Sequence, residues 1–192
     1  MKNMNICIDI DGTITDPYYW IESANKYFNK SITADKVTQY ELHKIIGITR
    51  DEYINFYNKI KFKLHTEETI RKDAVEVTQK LAKLNNIYFV TAREKCLEII
   101  THKYLNKYEI PYDGVYVLGS THKVDTAKSL NCDIFIEDSY ENAIELSKSN
   151  FKVLLVDTNY NRLPLNQNIT RILNWNEIYT TIKKMLLQEK AM

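Results

Sequence analysis

The stretch Asp9-Ile10-Asp11-Gly12-Thr13 directly follows the apolar run 4–8, which has the composition of a short buried strand. Side chains alternate along a strand, so Asp9 and Asp11 point to the same side and their carboxylates lie close together. Two like charges at that spacing repel unless a cation or a proton joins them. Mg²⁺ is a hard cation that proteins hold through one or two carboxylates together with a phosphate oxygen. The stretch therefore indicates phosphoryl chemistry at the end of a sheet strand.

Gly12 and Thr13 complete the turn that follows the two carboxylates. Glycine lets the backbone turn sharply and approach a ligand closely, and Thr13 adds a hydroxyl and an exposed amide. An Asp-Gly pair is also an ordinary turn signal, so this motif alone is equally compatible with a surface turn. The case for catalysis therefore depends on residues elsewhere in the chain.

The length and charge of the chain limit the classes of protein to which it can belong. Its 192 residues suffice for one domain of about 100–150 residues with a sizeable insertion. Lysine and arginine number 26 against 25 aspartate and glutamate. No global field therefore draws the protein to a nucleic acid polymer or to an acidic membrane. A small anionic substrate is still compatible, because a local site can be positive in a neutral protein.

The cysteines and the apolar runs predict a cytoplasmic protein. Cys7, Cys96 and Cys132 are odd in number, widely separated, and placed in or beside apolar segments. This favours reduced core thiols over disulfides or metal ligands. The chain starts without an export signal, and no apolar run approaches the roughly 18 residues of a membrane span. The sequence leaves open whether the protein forms a homodimer.

The next strong strand pattern, 87–91, comes much later than the dozen or so residues that a parallel crossover requires. The residues between are helical in pattern, with predicted helices over 18–29, 49–64 and 69–84. The last of these leads back towards the sheet. We therefore expect an inserted segment over residues 16–66.

After residue 91, strand patterns alternate with helical ones, and the predicted strands are 114–118, 133–137 and 152–157. This alternation is typical of an α/β fold, a Rossmann-like parallel sheet with helices on both faces. Such sheets bind ligands at the carboxyl ends of their strands.

Three further signals fall at or just beyond strand ends. Thr91 ends the second strand, Glu137-Asp138 ends the fourth, and Lys123 begins a predicted helix. A cation in the first turn of a helix opposes the helix dipole, at a cost of up to about 1 kcal/mol. An anion at that point offsets the cost, because a helix N-terminus and an ammonium group both favour phosphate.

In order and position, Asp9-x-Asp11-Gly12-Thr13, Thr91, Lys123 and Glu137-Asp138 resemble the four motifs of the haloacid dehalogenase superfamily. Within it, the segments 89–93 (FVTAR), 110–114 (IPYDG) and 119–123 (GSTHK) resemble the bacterial branch of the 5′(3′)-deoxyribonucleotidase family. The resemblance implies a Mg²⁺-dependent phosphomonoesterase that works through an aspartyl-phosphate. It also implies that residues 1–15 and 67–192 form the core domain and that 16–66 form a helical cap of the type called C1.

The resemblance also assigns roles to residues. Asp9 would be the nucleophile, and Asp11 would give a proton to the leaving oxygen and later take one from water, its pKa raised by the charge of Asp9. Asp9, the main-chain carbonyl of Asp11 and Asp138 would hold Mg²⁺. Glu137 stands where many relatives have aspartate, and an outer position behind the ligands is favoured for it. The residues expected to bind the phosphoryl oxygens are Gly12, Thr13, Thr91, Ala92 and Lys123.

Substrate contacts are expected from the inserted segment. Tyr18, Tyr19 and Trp20 follow the first motif closely and are the best candidates, although most aromatic residues there must form the segment's own core. Arg93 either reaches the substrate or is a solvated residue at a helix start. Among the histidines, only His122 has a claim on the site, through Lys123, and surface placement is expected for the others.

These observations predict a small phosphorylated substrate, with a nucleoside or deoxynucleoside monophosphate as the first choice. Two alternatives stay open. One is a sugar-phosphate phosphatase or phosphomutase, and the other is a non-catalytic nucleotide-binding module that kept the fold.

Overall fold

The protein is described here by a computed structural model, which describes residues 4–189. Within these residues one sheet contains six strands, all paired in parallel, in the order β3-β2-β1-β4-β5-β6. The strands are β1 (Asn5–Ile8), β2 (Asn86–Thr91), β3 (Gly114–Val117), β4 (Ile134–Glu137), β5 (Lys152–Val156) and β6 (Ile169–Ile172). The predicted parallel α/β sheet is confirmed.

The first strand lies at the centre of the sheet and separates two apolar layers. Ile6 and Ile8 belong to the core cluster on one face, and Cys7 belongs to the cluster on the other. The order of the strands reverses between β1 and β4, and in open α/β sheets ligands bind in the crevice at such a point. Asp9 extends β1 into that crevice, and its amide donates to the carbonyl of Ile136 at 2.9 Å.

Helices cover both faces of the sheet. Residues of α4 and α8 pack in the cluster that contains Ile6, and residues of α6 and α7 pack in the cluster that contains Cys7. The helices are α1 (Ile21–Phe28), α2 (Leu42–Ile46), α3 (Arg50–Glu67), α4 (Ala74–Ala82), α5 (Glu98–Lys107), α6 (Val124–Ser129), α7 (Tyr140–Lys148) and α8 (Trp175–Glu189). None of the helices within residues 4–189 combines the length and the apolar character that crossing a membrane requires.

The segment between β1 and α4 has an apolar cluster of its own. Its buried members are Trp20, Ala24, Val37, Ile46, Phe56 and Leu64. Helix α3 begins with a capping box, in which the Thr49 hydroxyl accepts the Glu52 amide and the Glu52 carboxylate accepts the Thr49 amide.

The two connections between this segment and the sheet run side by side. Thr15 and Ile70 form an antiparallel bridge, the amide of Asp16 donates to the carbonyl of Thr69, and the amide of Arg71 donates to the carbonyl of Ile14. This pairing occupies the backbone of residues 69–71. Helix α4 therefore begins at Ala74 and not at the predicted residue 69.

Other helices also differ from their predicted bounds. Helix α1 begins at Ile21, because the Asp16 carboxylate accepts the Tyr18 amide and forms a turn first. Helix α3 extends to Glu67, beyond the predicted end at residue 64. The cysteines Cys7 and Cys132 are buried free thiols as expected, but Cys96 is exposed. Its neighbour Leu97 fills the core position instead.

Candidate active site

The Lys123 side chain is the centre of the site. It is buried, and its ammonium donates to Asp9 Oδ1 at 2.5 Å and to Glu137 Oε1 at 2.7 Å. Burial disfavours the charged lysine, but the two carboxylates outweigh that effect and raise the pKa of Lys123. Lys123 is the N-cap of α6, and the anions that contact it in the structure are these two carboxylates.

Glu137 receives hydrogen bonds on both oxygens. Oε2 accepts the amides of Asp138 and Ser139, and Oε1 accepts the side-chain amide of Asn142 as well as Lys123. A carboxylate that accepts four donors is held in a fixed orientation. Glu137 therefore fixes the turn after β4 and the position of Lys123.

Asp9, Glu137 and Asp138 each place a carboxylate oxygen within 4.8 Å of the others, and all three residues are buried. Burial raises the pKa of Asp9 well above its ordinary value. The charge of Lys123 opposes this shift, and the charges of Glu137 and Asp138 add to it. Burial, followed by the charge of Glu137, raises the pKa of Asp138 to about 7. One lysine does not balance three carboxylates, so the cluster suits a further cation.

The turn of Gly12 and Thr13 packs directly against Asp138. The Thr13 hydroxyl donates to Asp138 Oδ1 at 3.1 Å. Gly12 has φ +79°, and a Cβ atom there would lie 2.3 Å from Asp138 Oδ2. Only glycine fits this close approach in this conformation. The sequence signal at Gly12 therefore has a steric cause.

Asp11 lies apart from that cluster and is paired with arginine. Arg93 donates to both of its oxygens, from Nε at 2.9 Å and from Nη2 at 2.8 Å. Burial would raise the pKa of Asp11, but Arg93 and then His65 outweigh burial and hold the pKa well below its ordinary value. The expectation that the charge of Asp9 raises this pKa is wrong, because a guanidinium fork contacts Asp11 directly.

Arg93 is buried, which corrects the alternative of a solvated helix-start residue. Besides Asp11, it donates to the carboxylate of Glu68 and, from Nη1 at 3.2 Å, to the hydroxyl of Thr101. A buried charge requires such partners. Nothing in the sequence around Arg93 distinguishes a buried arginine from an exposed one. Asp11 and Glu68 each place a carboxylate oxygen, and His65 a ring nitrogen, within 4.8 Å of one another, and Arg93 pairs with both carboxylates.

The histidines are arranged differently from the prediction. His65, expected at the surface, is buried, with Nδ1 3.4 Å from Asp11 Oδ1 and Nε2 3.0 Å from the Tyr57 hydroxyl. His122, expected near the site, is half exposed and pairs with Glu145 and Asp125. Helix α3 extends past Leu64, and this extra turn carries His65 to Asp11.

Thr91 and Ala92 lie at the end of β2, beside Asp11. The Thr91 hydroxyl is 3.5 Å from Asp11 Oδ2 and accepts the Arg93 amide, and Ala92 lines the adjacent cavity. The structure thus brings the predicted phosphate-binding residues Gly12, Thr13, Thr91, Ala92 and Lys123 to one edge of the sheet.

A cavity of about 680 Å³ opens beside the carboxylates of Asp11 and Asp138. Its size is in the range of pockets that hold small ligands. The aromatic residues that line it, mostly from the inserted segment, are Tyr19, Trp20, Tyr40, Tyr53, Tyr57 and Tyr160. Of the three predicted contacts, Tyr19 reaches Asp11 Oδ1 at 3.3 Å. Trp20 is mainly buried in the segment's own core, and the hydroxyl of Tyr18 accepts the amide of Asn159.

Tyr160 and Glu68 contact the site, although neither residue belongs to a recognisable motif. The Tyr160 hydroxyl donates to Asp138, although the segment 159–162 has the pattern of an ordinary loop. Asn161 fixes this loop, because its side-chain amide donates to the carbonyls of Asp138 and Val156 at 2.8 Å. Contacts of this kind depend on how a loop returns over the sheet.

The fold and these motifs together define a haloacid dehalogenase-like hydrolase. The structure is similar to a haloacid dehalogenase-like hydrolase from Streptococcus pneumoniae, with a TM-score of 0.71, 17% identity, and coverage of 93% of this chain and 98% of that one. It is also similar to a β-phosphoglucomutase from Clostridium difficile, with a TM-score of 0.62, 17% identity and full coverage of both chains. At these identities the likeness concerns the fold.

Proteins that are similar in sequence identify the family of hydrolases to which the chain belongs. A nucleotidase of Clostridium acetobutylicum is 57% identical over 191 residues and covers all of both chains. The Bacillus subtilis protein YqfW is 33% identical over 175 residues, 91% of each chain. The model of the family described as 5′ nucleotidase, deoxy (pyrimidine), cytosolic type C protein matches residues 3–191, and the chain belongs to this family. The protein is a phosphoric monoester hydrolase, as the resemblance of its motifs implied.

Proposed function

We propose that the protein is a Mg²⁺-dependent phosphatase of nucleoside or deoxynucleoside 5′-monophosphates that forms an aspartyl-phosphate on Asp9. One observation carries the proposal. The Asp9 carboxylate, held by Lys123 at 2.5 Å, lies beside Asp138 at one edge of the sheet, next to a cavity walled by tyrosines. The nucleotidase names of the relatives support the substrate class.

The donor set fits Mg²⁺. Asp9 and Asp138 offer hard carboxylate oxygens in a buried cluster that carries excess negative charge, and the main-chain carbonyl of Asp11 completes the proposed protein ligands. When bound, the ion supplies positive charge that stabilises the phosphoryl oxygens and keeps both carboxylates ionised. Glu137, with four donors already on it, stays behind these ligands.

In the first half of the reaction, an Asp9 oxygen forms a bond to phosphorus while the bond from phosphorus to the leaving oxygen breaks. Asp11 gives its proton to that leaving oxygen. Arg93 keeps Asp11 ionised in the free protein, but the phosphate dianion next to Asp11 raises its pKa and opposes the effect of Arg93.

In the second half, water attacks the phosphorus of the aspartyl-phosphate and its proton passes to the Asp11 carboxylate, while the bond from phosphorus to the Asp9 oxygen breaks. This step releases inorganic phosphate and regenerates the Asp9 carboxylate. The ionised state that Arg93 favours is the state this step requires. Thr91, Lys123 and the turn of Gly12 and Thr13 hold the non-bridging oxygens through preorganised donors.

Residues 16–66 act as the cap in this proposal, and the core domain consists of residues 1–15 and 67–192. The tyrosines that the inserted segment places on the cavity wall offer faces on which a nucleobase stacks, with about 1–3 kcal/mol for each stacked base. A pyrimidine deoxynucleotide is the first choice of substrate. This choice rests on the description of the matched family.

A panel of phosphate esters tests the proposal. Purified protein is assayed for phosphate release from ribo- and deoxyribonucleoside monophosphates, hexose and pentose phosphates and p-nitrophenyl phosphate, with Mg²⁺ and with a chelator. We expect nucleotides to have the highest kcat/KM and the chelator to abolish turnover. Preference for a sugar phosphate would favour the second enzymatic alternative, and undiminished turnover without divalent metal would contradict the proposed cofactor.

A further inference from the structure

The residue that follows the last turn of α3 is a buried glutamate beside the catalytic groups. Glu68 is the C-cap of α3, and its side chain is fully buried. Its carboxylate accepts from Arg93 and lies 3.4 Å from Nδ1 of His65, while its carbonyl accepts the Tyr104 hydroxyl at 3.2 Å. A buried carboxylate is retained at this cost only where its partners need it.

Arg93 connects this glutamate to Asp11. The same guanidinium nitrogen, Nη2, donates to Glu68 and to Asp11 Oδ1, and Nε donates to Asp11 Oδ2. A planar guanidinium has its donors in a fixed fork, so fixing one edge fixes the other. Thr101 holds the third nitrogen, Nη1. The direction of the Asp11 carboxylate therefore depends on Arg93, and the direction of Arg93 depends on Glu68.

We propose that Glu68 is a positioning residue for Asp11: acting through Arg93, it aims the Asp11 carboxyl group and links that aim to the end of helix α3. The proposal deepens and rests on the proposed function, in which Asp11 protonates the leaving oxygen. Because α3 belongs to the inserted segment, a change in the position of that helix moves Glu68 and, through Arg93, the proton donor.

The leaving group provides a test that a general loss of structure would not imitate. A nucleoside leaves as an alkoxide and needs a proton, whereas p-nitrophenolate leaves as a stable anion without one. The quantity measured is kcat/KM, which reports the steps up to cleavage of the phosphorus–oxygen bond and not the later hydrolysis. A badly aimed Asp11 therefore slows the nucleotide and spares p-nitrophenyl phosphate.

The experiment compares Glu68→Gln with Glu67→Gln, its exposed neighbour on the same helix end. We expect Glu68→Gln to lower kcat/KM for the best nucleotide by about tenfold or more and for p-nitrophenyl phosphate by less than about threefold. Glu67→Gln should leave both unchanged. Glu68→Asp keeps the charge but is one methylene shorter, and it should show the same selective loss. If Glu68→Gln does not fold, Glu68→Asp is used in its place.

Asp11→Asn serves as the reference for loss of the proton donor. If Asp11→Asn is selective but the Glu68 variants slow both substrates equally, or slow neither, the positioning role is overturned and the proposed function stands. If Asp11→Asn itself shows no selectivity, the proton-donor assignment fails and the positioning role fails with it.

Discussion

The phenolic hydroxyl of Tyr160 donates a hydrogen bond to Oδ2 of Asp138, and so connects the loop after β5 to a carboxylate at the end of β4. The same tyrosine packs against the apolar cluster of the inserted segment and meets the ring of Tyr40 at 5.8 Å. Groups that orient a metal ligand contribute strongly to metal affinity. Tyr160 is therefore expected to matter for the cation as well as for the cavity wall.

Replacing Tyr160 by Phe removes only the hydroxyl. We expect the affinity for Mg²⁺, measured by calorimetric titration without substrate, to fall by about tenfold, because Asp138 loses the donor that orients it. Tyr116→Phe, at a half-exposed tyrosine on β3, is the matched control and should bind Mg²⁺ as the unmodified protein does. Equal affinity of both variants would show that Tyr160 does not act on the metal ligand.

Asp9→Asn should abolish turnover and leave the fold intact. The change removes the nucleophile, so phosphate release should fall by at least about 10⁴-fold. It also relieves repulsion among the buried carboxylates, while Lys123 keeps its bond to Glu137. The melting temperature should therefore shift by no more than about 4 °C, equivalent to about 1 kcal/mol. Asp133→Asn, just before the opposite end of β4, should retain turnover. Turnover near the unmodified level in Asp9→Asn would contradict the aspartyl-phosphate route.

Tyr53→Ala tests whether the cavity wall recognises the base. Tyr53 lines the cavity and stacks on Tyr57, with an angle of 16° between the rings. We expect kcat/KM for nucleotides to fall by about 5- to 150-fold, since a lost base stack costs about 1–3 kcal/mol. Hydrolysis of p-nitrophenyl phosphate should change far less.

Phe62→Ala is the control for this change, because Phe62 is an exposed aromatic residue on the same helix that does not line the cavity. It should alter neither substrate. If Tyr53→Ala and Phe62→Ala behave alike, the cavity wall does not select the base.

Asp157→Asn should remove ion pairs that stabilise the loop of Tyr160 in a pH-dependent way. Asp157 pairs with Arg162 and Arg171. Burial raises the pKa of Asp157, but the two arginines outweigh it and hold the pKa below its ordinary value. Since the folded-state pKa is depressed, the stabilisation is full above the ordinary value of about 3.9 and is lost as the pH falls through the folded-state pKa.

The measurement is denaturant unfolding of both proteins from pH 7 down to pH 3. We expect Asp157→Asn to be less stable by about 1 kcal/mol at pH 7 and pH 5. The difference should shrink as the pH falls below about 3.9, because Asp157 then binds a proton in the unfolded chain before it does so in the folded protein. A difference that stays constant over the whole range would exclude a charged Asp157 as its cause.

Much of the fold followed from local patterns. The apolar run 4–8, with acidic residues directly after it, predicted a buried strand with a candidate site at its carboxyl end, and β1 is buried between the two core clusters. The alternation of strand and helix after residue 91 predicted the parallel sheet. Short helix α2 had no clear signal, and Gly47 ends it with φ +73° after only five residues.

Motifs at strand ends indicated which residues to expect at the candidate site. The expectations were wrong where a side chain contacts a partner that is distant in sequence. Asp11 illustrates the difference. Its neighbours in sequence suggested a raised pKa, but Arg93 contacts it from the loop after β2 and reverses the direction. His65 comes from the inserted segment and Glu68 from just beyond its end, both far from Asp11 along the chain.

The sequence by itself determined the class of fold and the edge of the sheet at which the candidate residues Asp9, Asp11, Thr91, Lys123 and Asp138 lie. Strand periodicity and backbone turns are local properties, and parallel strands bring their carboxyl ends together. Only the tertiary structure decided which charges pair: Lys123 with Asp9 and Glu137, and Arg93 with Asp11 and Glu68. Electrostatic interactions depend on distance and burial, and neither is encoded in the order of residues along the chain.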